Sequence, residues 1–155
     1  MRLRRRVVNS HIEKQVLIGL VVSDRINHTL KDLVDPKLFQ LSVGKTVSKW
    51  IKDYYSLYNR APKSDLQEIY LAERGNLDEE VSQDVAEFLQ TLSEQYIDNP
   101  PNEDYLLNQA TLYLKKQALL AGMKEANLIL ENANGDLSSL SAAEAAIAMS
   151  CKKAS

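Results

Sequence analysis

The sequence has a single cysteine, Cys151, in 155 residues. One cysteine excludes a disulfide framework and a cysteine-based metal site, and it suggests a reducing compartment. Glycine and proline are also scarce, with five and four residues. Few short alternating apolar runs occur, so the composition favours an all-helical protein. Because 45% of the residues are apolar, the chain can bury a core as one domain with an appendage.

Long apolar runs are absent as well. The best candidate, VLIGLVV from Val16 to Val22, spans about seven residues, whereas a membrane-spanning helix needs about 20. Polar residues separate this run from the N-terminal arginines and no small-residue cleavage site follows it, so it does not have the layout of a secretory signal. We therefore expect no export, no membrane span and a cytoplasmic protein.

Neither charge sign dominates, since the formal net charge is −2. The distribution is uneven: Arg2 and Arg4 to Arg6 stand at the start, whereas residues 13–101 contain more acidic than basic residues. A mildly acidic body argues against an extended nucleic-acid surface. A short basic end is typical of a solvated terminus, so residues 1–10 are predicted to be a basic disordered tail.

The chain is organised around residues 38–77, where a helix, a proline corner and a second helix follow one another. The first helix has an apolar stripe at steps of three and four, made of Val43, Val47, Trp50, Ile51, Tyr54 and Leu57 with Tyr58. Pro62 prevents the helix from continuing. Ser64 with Gln67 forms a capping box for the next helix, which closes at Gly75.

Further helices are predicted on both sides of this centre. Ser10 with Glu13 forms a capping box before an apolar helix, and Asp24 caps another helix that ends at Asp35-Pro36. An amphipathic helix from Leu77 to Leu92 stops before Pro100-Pro101, which is the clearest boundary in the chain. Residues 11–98 are therefore predicted to form a globular helical bundle.

Beyond the prolines, residues 102–133 form a predicted helix of about thirty residues that is apolar nearly all round. Asn134-Gly135-Asp136 turns the chain, and a last helix has the stripe Leu140, Ala143, Ile147 and Cys151. Residues 102–155 are thus predicted to be a helical hairpin. The fold class is all-α, with a compact helical bundle followed by a long helical hairpin.

The predicted hairpin has more apolar surface than its own short, alanine-rich second arm can cover. We therefore expect a second copy of the chain to cover the rest, with a dimer as the building block. The predicted self-association interface consists of Leu106, Ala110, Tyr113, Leu114, Ala118, Leu120, Leu128 and Ile147.

The sequence offers no catalytic constellation and no cofactor or metal site. Gly44-Lys45-Thr46 copies the end of a phosphate-binding loop, but Phe39 stands where that loop requires glycine. His11 and His28 have no companion ligands in the sequence, so metal binding or base catalysis is not expected. A group of tyrosines beside lysines, Tyr54, Tyr55 and Tyr58, is typical of a core or interface more often than of base stacking.

Four segments together resemble the amino-terminal domain of DnaB-type replicative DNA helicases, particularly the diverged phage versions. The early helix has an E-x-x-V-L-G-like run with Glu13, Val16, Leu17 and Gly19. The next helix leads to an acidic residue and an aromatic, with Leu33, Asp35 and Phe39. The corner and the following helix match at Pro62, Leu66, Leu71, Gly75 and Leu77, and the two hairpin arms match at Tyr105 to Leu130 and Gly135-Asp136-Leu137.

This resemblance covers nearly all of residues 11–150 and implies a non-catalytic collar domain. In that family the hairpins pair two by two into a hexameric ring that encircles DNA and receives primase, and possibly a helicase loader. The ATP and Mg²⁺ of the family belong to a motor domain with a P-loop, which is absent from this sequence. Direct contact with DNA is expected to be weak or indirect.

Two other functions fit a small helical chain without active-site motifs. A helicase-loader or primase-adaptor protein would bind one helicase per chain without needing to associate with itself. A small helical DNA-binding protein would act through the arginines and the tyrosine–lysine face, and its affinity would fall steeply with salt.

Overall fold

The computed structural model describes residues 2–95, 102–132 and 137–154, and the side chains of residues 10–93, 102–132 and 141–152. Seven α-helices lie in these ranges: α1 Arg2–Val22, α2 Asp24–Leu30, α3 Ser42–Tyr58, α4 Asp65–Glu73, α5 Glu79–Gln95, α6 Glu103–Asn132 and α7 Leu137–Ala154. Short 3₁₀ turns occur at Pro36–Leu38 and Arg74–Asn76. No strand occurs in these ranges, and the predicted all-α class is confirmed.

The chain divides into two compact units, Met1–Thr111 and Leu112–Ser155. The division falls within α6, so the N-terminal part of this helix belongs to the first unit. The sequence analysis predicted a boundary between the bundle and the hairpin at Pro100-Pro101, and a turn at residues 134–136. Both features lie outside the described residues.

Helix α3 is the centre of the first unit, because it packs against α1, α4 and α5. The predicted apolar stripe is buried at five positions, which are Val43, Val47, Trp50, Ile51 and Tyr54. The stripe ends there: Leu57 and Tyr58 are 77% and 57% exposed, although the spacing predicted them on the same face. The large side chains of α1, α2 and α5 complete this core.

A buried carboxylate starts helix α3. Leu41 occupies the capping position and has no side chain able to accept a hydrogen bond. Glu13 of α1, which is fully buried, accepts hydrogen bonds from the backbone N–H groups of Gln40 at 3.1 Å and Leu41 at 2.9 Å. A Cβ on Gly44 would overlap Oε1 of Glu13, so glycine leaves room for this carboxylate. Gly44 is therefore a packing residue inside α3.

Two predicted helix starts and one predicted capping bond differ from the structure. Helix α1 begins at Arg2, so Ser10 and Glu13 lie inside it and the capping box there was wrong. Ser23, one residue before the predicted Asp24, caps α2 by accepting a hydrogen bond from the N–H of Ile26 at 3.1 Å. Ser64 precedes α4 as predicted but makes no side-chain capping bond. The first two differences show that local capping patterns do not fix where a helix begins.

The proline corner is fixed to the end of α1 and to the start of α2 by hydrogen bonds from its own backbone. Lys63 N–H donates to the carbonyl of Val21 at 2.9 Å, and Ala61 N–H donates to Oδ1 of Asp24 at 2.8 Å. Asn59 and Lys63 have positive φ values of 56° and 51°, which reverse the chain between α3 and α4. The corner therefore holds α4 against the carboxyl end of α3.

Candidate interaction surfaces

In the second unit, helices α6 and α7 contact each other through small residues. A Cβ added to Gly122 would overlap the side chain of Ser150 and lie 3.3 Å from the carbonyl oxygen of Ala146. Ala118 and Ala126, one turn before and after Gly122, are also buried, as is Ala143 on α7. Such residues let two helix backbones approach closely, but they bury little apolar area. We call this contact the small-residue seam.

Most of the large apolar side chains described in this unit lie outside the seam, although Tyr113 and Leu114 at the start of the unit are buried. Those that are at least 36% exposed are Leu112, Leu119, Leu120, Met123, Leu128, Leu130, Ile147 and Met149. A helical pair normally buries its largest side chains between the helices. In this pair the small side chains are buried between the helices, and most of the large apolar side chains are exposed.

Four of these side chains form a line on α6. Leu112, Leu119, Met123 and Leu130 follow one another at steps of seven, four and seven residues, which return to the same side of an α-helix. Their exposed fractions are 68%, 36%, 57% and 45%. We call this row the α6 stripe. Its spacing is that of a coiled-coil seam without a partner helix.

The structure separates the eight predicted interface residues into two groups. Leu106, Ala110, Tyr113, Leu114 and Ala118 are buried within the chain itself. Leu120, Leu128 and Ile147 are exposed by about half. Only the second group offers surface to a partner in this conformation. The sequence did not single out the α6 stripe, although its seven-four-seven spacing was available as a signal.

The buried Leu106 belongs to the packing of the first unit. A Cβ atom added to Gly19 of α1 would lie 3.5 Å from the Cβ of Leu106, so the first turn of α6 packs closely against α1. Arg25 pairs with Asp104 at 2.6 Å, and the hydrogen bond to this carboxylate raises the pKa of the Arg25 guanidinium further above its ordinary value. Asn102 caps α6 by accepting a hydrogen bond from the N–H of Tyr105.

A second surface lies between α3 and α4 in the first unit, as a groove of about 580 Å³. Its apolar lining comes from Trp50, Tyr54, Leu57, Tyr58 and Ile69. Its charged lining consists of Asp53, Asp65, Glu68 and Glu73, against the single guanidinium of Arg60. We call it the α3–α4 groove. Its lining is therefore both apolar and acidic.

Hydrogen bonds fix part of this groove. The Tyr54 hydroxyl donates to Oδ2 of Asp65 at 2.6 Å, and this bond raises the pKa of Tyr54 above its ordinary value. The Arg60 side chain also bonds to Tyr54, which raises the pKa of Arg60. The rings of Tyr54 and Tyr58 lie 4.6 Å apart in a tilted arrangement. Asp53 and Glu68, in contrast, are exposed and have no partner among the described side chains.

The sequence did not predict the groove, since it assigned Leu57 and Tyr58 to the buried stripe. Two signals were present in the sequence. The apolar stripe of α3 widens at Leu57 and Tyr58, so one neighbouring element need not cover all of it, and acidic residues follow on α4. Which side the core covers depends on the angle between α3 and α4. That angle is set by the positive-φ residues of the corner, and no periodicity reveals it.

The residues considered for chemistry lie apart from one another. His28 Nδ1 is 3.0 Å from the Tyr55 hydroxyl, and His11 is exposed on α1. Cys151 is an exposed free thiol on α7. In the part of the chain that the structure describes, no group of three or more His, Cys, Asp or Glu residues is placed to hold a metal ion. Across the same ranges, no helix has the length and apolarity that crossing a membrane requires.

Comparisons with known proteins give no family for this chain. No protein-family model matches it, and no curated protein or solved structure is significantly similar to it.

Proposed function

We propose that this chain is a non-catalytic assembly domain that associates with itself through the second unit, as the collar domain of a DnaB-type replicative helicase does. The observation that supports this proposal is the reversed helical pair, with small residues in the seam and large aliphatic residues exposed. The pattern of helices noted in the sequence supplies the link to helicases. In this role the chain acts in the cytoplasm and takes part in DNA replication.

The energetics favour a reversible pairing. Fully burying a Leu or Met side chain contributes about 1.5–3 kcal/mol, so each half-exposed side chain of the α6 stripe retains about 1 kcal/mol. Two stripes packed together would then gain about 8 kcal/mol, against an association cost of about 4–15 kcal/mol. The gain from the stripe alone is therefore near balance with the association cost, as a reversible pairing requires.

The proposed pairing is isologous, because each copy presents the same row of side chains. A two-fold axis crossing the stripe near its middle would bring Leu119 and Met123 of one copy against the same residues of the other. In the helicase family such dimers are the units of a hexameric ring, and the ring receives primase. The proposal extends both properties to this chain.

Leu119→Asp combined with Met123→Asp tests the pairing. Both side chains are exposed, so we expect the variant to fold but to lose the dimer formed through α6, because two carboxylates per copy would be buried in that interface. The measurement is molar mass by light scattering, with circular dichroism to confirm the helices. The matched control is Ala121→Asp with Asn132→Asp, which adds the same charge at exposed positions of α6 outside the stripe.

Loss of dimer in the stripe variant but not in the control supports the assembly role. A wild-type chain that stays monomeric at high concentration contradicts it and favours an adaptor that binds one partner per chain. Co-elution of the wild-type chain with the primase of the same organism tests the second part of the proposal. A primase that elutes separately at micromolar concentrations contradicts the recruitment role.

A further inference from the structure

We infer that the α3–α4 groove binds the arginine-rich start of helix α1 from a second copy of this chain. This inference rests on the proposed self-assembly and deepens it, because it adds a head-to-tail contact to the isologous one. The juxtaposition that carries it is an open acidic and aromatic groove in the same unit as a helix that begins with Arg2, Arg4, Arg5 and Arg6.

The groove is not filled by its own chain. Leu57 and Tyr58 are among the most exposed large apolar residues described, at 77% and 57%. Asp53 and Glu68 stand on opposite helices, α3 and α4, and both are exposed without a charged partner among the described residues. Such a surface fits a ligand with apolar side chains flanked by cations, since guanidinium groups pair with carboxylates and stack on tyrosine rings.

The start of α1 has this chemistry. Residues 2–9 read RLRRRVVN, with four arginines and three aliphatic residues, Leu3, Val7 and Val8. The first turn of α1 contains no acidic residue. Cations at the amino end of a helix oppose the helix dipole, which favours negative charge there. An acidic surface from outside the helix would remove this conflict, and the α3–α4 groove supplies one.

The length of α1 separates its first residues from the groove of the same chain. Lys63, which lies between Arg60 and Asp65 of the groove, donates its N–H to the carbonyl of Val21, so the carboxyl end of α1 is next to the groove. At about 1.5 Å per residue, Arg6 lies roughly 22 Å back along the helix and Arg2 about 28 Å. This separation along α1 favours a contact with the groove of another copy. A contact between different surfaces of two copies closes into rings or continues as filaments.

The test uses a labelled peptide of residues 2–12 and the full-length Leu119→Asp/Met123→Asp chain as receptor, followed by fluorescence anisotropy. The stripe substitutions lie outside the groove, so this contact is measured separately from the proposed pairing of α6. We expect saturable binding that weakens with added salt. Asp53→Lys with Glu68→Lys in the receptor should lower the affinity at least about tenfold, because two charge-assisted pairs would become repulsive.

A charge swap makes the test specific. A peptide with Arg4→Glu and Arg5→Glu should fail to bind the original groove and should regain binding to the receptor with Asp53→Lys and Glu68→Lys. Glu79→Lys with Glu80→Lys is the matched receptor control, since it changes the net charge equally on α5, outside the groove. An equal loss of affinity in this control would overturn the inference, because the attraction would then be unspecific.

A second peptide identifies the occupant. In it Leu3, Val7 and Val8 are replaced by Ser while all arginines stay. Weaker binding of this peptide supports a site for the α1 segment. Equal binding would show that the groove takes any basic segment, and the assignment to a second copy would be overturned. If the original peptide of residues 2–12 does not bind, the inference is overturned. This holds even if the stripe variant has separately supported the pairing through α6.

Discussion

The two units of this chain use their side chains in opposite ways. The first unit buries its large residues, among them Leu17, Phe39 and Ile51, around helix α3. The second unit buries Tyr113 and Leu114 at its start, but beyond them it buries mainly alanine, glycine and serine and exposes most of its leucine, isoleucine and methionine side chains. Because apolar area removed from water is the main stabilising contribution, the first unit gains most of this contribution within its own fold, whereas the second unit still exposes much of its apolar area. This difference is the physical basis for the proposal that the chain associates with itself through the second unit.

The largest expected effect comes from removing a large side chain in the first unit. Leu17→Ala should lower the free energy of unfolding by about 2–5 kcal/mol, because the residue is fully buried. The matched change in the second unit is Leu112→Ala, which should alter unfolding of the dilute monomer by less than about 0.5 kcal/mol. Urea denaturation of both variants measures the difference. Equal destabilisation would mean that the two units do not differ as described.

A somewhat smaller effect is expected at the seam. Gly122→Val should destabilise the α6–α7 contact by about 1–3 kcal/mol, because its side chain would overlap Ser150. The readout is hydrogen exchange of the α7 amides, which should become faster while exchange in α3 is unchanged. Ala121→Val, one residue earlier at an exposed position, is the control and should leave the exchange of α7 as it is.

The smallest effect concerns pH and the α3–α4 groove. The hydrogen bond from Tyr54 to Asp65 raises the pKa of Tyr54, so the folded state holds this proton more tightly than the unfolded state. The stability that this contributes is fully present below the ordinary tyrosine pKa of about 10 and is lost as pH rises through the raised value. The difference in stability between wild type and Tyr54→Phe should therefore shrink in urea titrations as the pH is raised from about 8 to above the tyrosine pKa. A difference that grows with pH would contradict this assignment.

The helices were largely predictable because their apolar periodicity is local. Helix α3 and its five buried residues follow from steps of three and four, and the break at Pro62 follows from the missing N–H. The start of α3 was not predictable in the same way, since the N–H groups of Gln40 and Leu41 donate to Glu13 from another helix. Local capping rules consider neighbours in sequence, whereas this carboxylate arrives through tertiary packing.

The candidate surfaces were predictable only in part. Excess apolar residues in the last third of the chain indicated an interface, and Leu120, Leu128 and Ile147 are exposed there. Tyr113 and Leu114 are buried instead, because the side of α6 that is covered differs along its length and an all-round apolar helix does not reveal which side that is. The α3–α4 groove depends on the angle at the corner, which the sequence does not encode in any spacing.

Sedimentation velocity of the wild-type chain across a wide range of concentration tests the central claim most directly. The account predicts a mass that rises from one copy to at least two as the concentration increases, because the exposed aliphatic side chains of the second unit become covered. A mass that stays at a single copy throughout this range would contradict it.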